Sequence, residues 1–169
     1  MDRPVPDAVI AARLADIEAS PWSGYVWRHT LAENPPDRRN VRGARWNPPD
    51  VEALYVSLDR VTAIAEADHL IEVQPLRPTA KRTIHRLKVS LQSVVDLTDR
   101  ARLSSLGIDD DALAGDEQVA CQAVGAAAAF LHLDGIIVPS VRSPGHNIVI
   151  LLASPDSLPE ITVLDSQPL

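Results

Sequence analysis

The chain has one cysteine, Cys121, and that scarcity closes several routes at once. It excludes an intrachain disulfide framework and any metal site built from several thiolates. Cys121 lies in the alanine-rich run Cys121–Phe130 and reads as a small buried hydrophobe on a helix. Aromatic residues make up only 4% of the chain, so each Trp and Tyr is worth locating. No apolar run reaches the ~20 residues needed to span a bilayer. The opening Met-Asp-Arg-Pro-Val-Pro-Asp carries no apolar stretch of signal-peptide length. A cytoplasmic protein with no membrane contact is the expectation. Positive charge is not in excess either. A net charge of −7 argues against a broad nucleic-acid footprint, which needs a basic surface.

Familiar chemical motifs are missing too. There is no glycine-rich phosphate loop of either common type. His29, His69, His85, His132 and His146 do not fall at ligand spacing, so no metal is expected. Asp109-Asp110-Asp111 lacks the glycine and the distal glutamate of a calcium loop and reads as a solvated acidic turn. Ser140 lacks the glycine-flanked elbow of hydrolase nucleophiles.

What is present is enough for one domain. The 169 residues, 46% of them hydrophobic, can bury a sizeable core, and no linker or repeat divides 1–169. Asp7 can cap a first helix with a stripe of Val9, Ile10, Leu14 and Ile17, stopped by Ser20–Gly24. Gly24–Thr30 and Leu54–Ser57 read as strands. Asp59 caps a helix to about Glu72, with Val61, Ile64, Ala65 and Leu70 near one face. A turn at Pro75–Pro78 leads to Thr83–Leu91, where His85, Leu87, Val89 and Leu91 alternate with Ile84, Arg86, Lys88 and Ser90. Val94–Leu97 extends that strand. Asp116 caps a helix to about His132, with Val124 and Ala127 among its apolar positions. Gly135–Pro139, Asn147–Leu152 and Ile161–Leu164 close the list of strands. The short connection after Pro139 favours antiparallel pairing. The class is α+β, with a mixed or antiparallel sheet flanked by helices.

The segment Gly43-Ala44-Arg45-Trp46-Asn47-Pro48, with Tyr55 and Glu66 behind it, gathers a guanidinium, an amide, a phenol and a carboxylate around a core strand. Buried Arg and Glu are costly unless they have partners. Arg28 and Arg45 read either as an anion clamp or as structural cations, because guanidinium grips phosphates bidentately. Arg38, Arg39 and Arg42 read as solvated loop arginines. Glu66 reads as a surface carboxylate or a functional one, and Tyr55 as a core residue or a pocket residue.

The ordered set Trp27-Arg28, Gly43-Ala44-Arg45-Trp46-Asn47, Leu54-Tyr55-Val56-Ser57, Ala65-Glu66, Asp134–Ser140 and Asn147–Ile150 resembles the RES domain. The likeness spans about 22–153. This family comprises toxins of bacterial type II toxin–antitoxin systems. The resemblance implies a fold related to ADP-ribosyltransferases and NAD as substrate, cleaved at the nicotinamide–ribose bond. It implies an antitoxin partner with a helix-turn-helix DNA-binding part, and no direct contact of this chain with nucleic acid. The acceptor of the ribosyl group would be water, phosphate or a target protein. The family's motif residues fall on Glu66, Arg45 and Ser140 as catalytic groups. Arg28, Tyr55, Trp46 and Asn47 would bind substrate. Asp50 and Glu52 stand where members often carry Gly and Pro, which bears on the 47–53 turn. The rival expectation is a non-catalytic nucleotide-binding or protein-interaction module.

Overall fold

Period-two alternation builds the centre of the molecule. In the computed structural model, which describes residues 5–31, 33–73, 81–152 and 159–169, β3 (Arg82–Asp96) is the longest strand. Its Leu87, Val89 and Leu91 are buried while Arg86, Lys88 and Ser90 are exposed, as the alternation predicts. The helix α1 (Ala8–Ala15) starts at Asp7, whose carboxylate accepts from the amides of Val9 and Ile10. The other strands are β1 (Ser20–Leu31), β2 (Ala53–Ser57), β4 (Gly135–Pro139), β5 (His146–Leu151) and β6 (Glu160–Pro168). The other helices are α2 (Arg60–Val73), α3 (Arg100–Ser105), α4 (Asp110–Ala114) and α5 (Val119–Phe130). The turn expected at Pro75–Pro78 lies outside the described residues.

The sheet runs β1-β2-β5-β4-β3-β6, and β1 also pairs with β3. Five strands therefore close on themselves, with β6 added along β3. Among the described residues only β3–β4 is parallel, bridged by the helical segment between them; β4–β5 is antiparallel, as the short connection required. Closure makes two cores from alternating residues. Val26, Leu54, Val56, Leu87, Ile148 and Ile150 fill one. Ala53, Val149, Leu151, Ile136 and Val138 meet helices α1 and α5 in the other, through Leu14, Val124 and Ala127. Tyr55 packs against this second cluster, on the opposite side from Leu54 and Val56. Among the described residues, no helix is long and apolar enough to cross a membrane.

Four local expectations need correction. Ser20–Gly24 does not simply end the first helix; it opens β1, which pairs with β3 from Ser20 through an irregularity before Trp22. Gly24 leaves room for the Trp22 indole, whose ring lies 3.0 Å from where a Cβ would stand. Asp116 does not cap α5, which starts at Val119 after Gln118 with no side-chain cap. The acidic triplet is not a loose turn: Asp109 caps α4, and Asp110 and Asp111 occupy its first turn, where the helix dipole favours negative charge. On α2 the buried residues are Thr62, Ala63 and Ala67, while Val61 and Leu70 are exposed. Its inward face is therefore small and polar, because it must accommodate the loop after β4. The 47–53 turn is tight, and Asp50 adopts φ 75°, a conformation that suits glycine best.

Candidate active site

Three strand ends and one helix converge to make the site. Strands β2 and β4 are both antiparallel to β5, so Ser57, the start of β5 at Asn147, and Ser140 just beyond β4 lie at one end of the sheet. Helix α2 follows β2 after Leu58 and Asp59 and crosses that end. Glu66, midway along α2, accepts at Oε1 from the Ser140 hydroxyl at 2.7 Å and from Asn147 Nδ2 at 3.0 Å. Oε2 has no hydrogen-bond partner among the described residues. Ser57 Oγ donates to Asn147 Oδ1 at 2.7 Å, behind the amide. Ser140 Oγ in turn accepts from the amides of Arg142 and Ser143.

The loop 140–145 is fastened along α2 at helical intervals. Thr62 Oγ1 meets Ser143 Oγ at 2.5 Å and donates to Asp59 Oδ2 at 2.9 Å. Arg142 reaches His69 Nε2 at 2.7 Å. Residues 62, 66 and 69 recur at the spacing of one helix face. Gly145 passes so close that a Cβ there would lie 2.0 Å from Thr62 Oγ1.

Arg28 stands apart from this cluster. Its Nη1 donates to the Tyr55 carbonyl at 2.7 Å and its Nη2 to the Arg38 carbonyl at 3.0 Å. Its Nε is buried and has no hydrogen-bond partner among the described residues. Burial lowers the guanidinium to about 10, partly offset by Asp37, so the charge persists at neutral pH. A partly desolvated cation at the wall of a cavity attracts anions. Arg28 also lines a cavity of about 440 Å³, with Thr30, Asn34, Arg38, Asn40 and Leu70. Leu70 lies one turn beyond Glu66 on α2, and Glu66 itself is not among the residues that line the cavity.

The remaining expected residues are used by the fold. Arg45 donates to the Gly115 carbonyl at 2.8 Å and towards that of Ala112 at 3.4 Å, at the end of α4. Among the described residues it forms no hydrogen bond or ion pair with Glu66, whose partners are Ser140 and Asn147. The Tyr55 hydroxyl donates to Asn47 Oδ1 at 2.6 Å and accepts from the Trp46 amide at 3.0 Å. Burial pushes this phenol above its usual range. Asn47 is 0% exposed and donates to the Val51 carbonyl at 2.7 Å; Trp46 is 3% exposed. Trp46 and Asn47 buckle the 43–48 loop onto β2. Burial also raises the Cys121 thiol, which matches its reading as a core residue. Sequence reasoning missed Ser57, Thr62 and Asn147 as parts of the site. A Ser or Asn at a strand end carries no pattern of its own.

His29 sits on β1 beside Arg28 and accepts from Arg82 Nε at 3.1 Å. Burial, and then Arg82, lower its imidazole from 6.5 to about 4. Between those values the unfolded chain binds a proton that the folded chain does not. Stability from this group is complete above pH 6.5 and is lost as pH falls towards 4. His85, also lowered by burial, acts in the same direction. His29→Gln should therefore flatten the fall in melting temperature over that interval. An equal slope in both proteins would show that His29 does not contribute.

The architecture, with a Glu–Ser pair at the sheet end and a buried arginine on β1, defines a class. The family model described as the RES domain matches residues 12–169, wider at both ends than the 22–153 stretch, and the chain belongs to this family. It is 32% identical to the NAD(+) phosphorylase MbcT of Mycobacterium tuberculosis over 136 residues, covering 73% of this chain and 71% of that protein. It is also 32% identical to the probable NAD(+) phosphorylase Rv3189 of the same organism, over 82% of this chain and 66% of that one. A chain in the crystal structure of the M. tuberculosis MbcT–MbcA toxin–antitoxin complex shares its fold. The TM-score is 0.84 and the identity 26%, covering 96% of this chain and 93% of that one.

Proposed function

We propose that this protein is the toxin of a toxin–antitoxin pair and cleaves NAD at the nicotinamide–ribose bond, passing the ribosyl group to inorganic phosphate. The observation that carries the reading is Glu66: a half-buried carboxylate held at one oxygen and open at the other, in a chain 32% identical to an NAD(+) phosphorylase. The chemistry suits a single carboxylate. Nicotinamide leaves NAD as a neutral base, so no general acid is needed. The bond from ribose C1′ to the pyridinium nitrogen breaks, its electron pair stays with nitrogen, and positive charge develops on the ribose. Glu66 Oε2 is the group available to meet that charge or to accept from a ribose hydroxyl. A phosphate oxygen then bonds to C1′, giving nicotinamide and ADP-ribose 1-phosphate.

Arg28 supplies the anion contact. Its positive charge, at the wall of a cavity, would attract a phosphate group of the dinucleotide. Arg45 acts from a distance, by tying the end of α4 to the loop that holds Tyr55. Ser140 holds the carboxylate. The antitoxin would be a DNA-binding protein of helix-turn-helix type, as the family resemblance implies, and this chain at −7 is itself a poor ligand for DNA.

Nicotinamide release from NAD by the purified protein, with and without phosphate, tests the reaction. The expected result is release that depends on phosphate, with ADP-ribose 1-phosphate as co-product. Release without phosphate would reassign the acceptor to water. NAD binding without release would return the chain to the binding-module reading. In cells, expression alone should arrest growth, and co-expression of the neighbouring antitoxin gene should restore it.

A further inference from the structure

We propose that Asn147, backed by Ser57, is a positioning residue that fixes the orientation of the Glu66 carboxylate, and so the direction in which its free oxygen faces substrate. The inference rests on the reading of Glu66 as the catalytic carboxylate. Its basis is a chain of hydrogen bonds whose direction is forced. An ionised carboxylate can only accept, so the amide nitrogen of Asn147 must face Glu66, at 3.0 Å. The amide oxygen then faces Ser57, whose hydroxyl must donate, at 2.7 Å. Ser57 is 5% exposed at the end of β2, and Asn147 is the second residue of β5, its direct partner in the register. Both sit on strand backbones rather than on the loop. Ser140, by contrast, lies on the loop after β4.

The consequence concerns geometry. With Ser140 alone, the plane of the carboxylate could turn about its Cγ–Cδ bond. Two donors on Oε1, one from the loop after β4 and one from β5, restrict that turning and leave Oε2 for substrate. A carboxylate fixed in this way need not reorient during bond cleavage, which is how preorganised groups stabilise developing charge. The negative charge is also shared by two donors, which makes ionised Glu66 tolerable where it is half buried.

The test is the split between kcat and KM for nicotinamide release. Asn147→Asp keeps the shape and the Ser57 bond, but removes the donor and sets a second carboxylate against Glu66. Its kcat should fall on the order of 10–100-fold, with KM within about threefold. Ser57→Ala should lower kcat by a smaller factor, while Ser57→Thr, which keeps the hydroxyl, should recover it. Asn147→Asp with Ser57→Ala should be no slower than Asn147→Asp alone, because Ser57 acts through Asn147. A raised KM with unchanged kcat would make Asn147 a substrate contact and overturn the proposal. So would full kcat in both Asn147→Asp and Ser57→Ala. If Asn147→Asp does not fold, the Ser57→Ala and Ser57→Thr pair decides alone. Glu66→Gln, run alongside, separates the two levels. If it is inactive while the Asn147 and Ser57 variants are normal, only this inference fails. If it is fully active, the reading of Glu66 fails with it.

Discussion

Glu66→Gln should lose nicotinamide release by a factor on the order of 10²–10³, the usual cost of removing preorganised charge stabilisation. The substitution preserves side-chain length and volume. It keeps Oε1 as an acceptor for Ser140 and Asn147, so the thermal melt should stay near wild type. What disappears is the negative charge at the second oxygen, where the ribose cation would form. Asp68 is the natural control. It is two residues further along α2, about 200° around the helix, and its side chain is 55% exposed. It pairs with Arg82 at 2.9 Å on the outside of the protein. Asp68→Asn should change the rate by no more than a few fold, because exposed ion pairs contribute little. A damaged Asp68→Asn enzyme beside an intact Glu66→Gln enzyme would remove Glu66 from the mechanism.

The second large effect is on stability. Gly125→Ala should cost about 3 kcal/mol or more, at the upper end for overpacked cores. A Cβ at Gly125 would lie 1.5 Å from the Trp46 carbonyl oxygen and 2.7 Å from its carbon. Neither neighbour is a flexible tip. Both are backbone, in a loop pinned by Tyr55, by Asn47 and by the Gln122 side chain donating to the Ala44 carbonyl at 2.9 Å. The loop must lift from α5, uncovering Trp46 and Asn47. The melting temperature should drop on the order of 6–12 °C for a domain of this size. Ala126→Gly, at the half-buried neighbouring position, should cost only about 1 kcal/mol, the ordinary helix penalty for glycine. Similar melts for the two variants would mean that the loop does not rest on α5 as described.

These two residues differ in how far they could be read from the chain. Glu66 was reachable only through its resemblance to a family pattern, since a glutamate in mid-helix normally faces water. Gly125, inside an alanine-rich helix, gave no sign that another backbone passes against it. Arg45 reads from the sequence as a cation beside an apolar strand, and its guanidinium ends on the carbonyls of Ala112 and Gly115. Helix α2 misled most. Its exposed Val61 and Leu70 looked like a core stripe, but its packing face is the polar one of Thr62, Glu66 and His69. Periodicity reports where apolar residues recur, and this helix buries small and polar side chains instead.

By itself the sequence determined the elements and the class. Alternation in β3, continuous apolar runs in β4 and β5, and the Asp7 cap depend on residues close together in the chain, so local pattern suffices to predict them. The family pattern likewise identified Arg28, Glu66 and Ser140 as residues worth following. Only the tertiary structure decided what each of them touches. Glu66 meets Ser140 and Asn147 across 74 and 81 residues of chain, and Ser57 meets Asn147 across 90. Contacts of that separation depend on the order in which strands join and on closure of the sheet. One register step in β2–β5 would put Ser57 and Asn147 on opposite faces of the sheet. Hydrogen bonds need agreement to a few tenths of an ångström, and no composition or spacing carries distance at that scale.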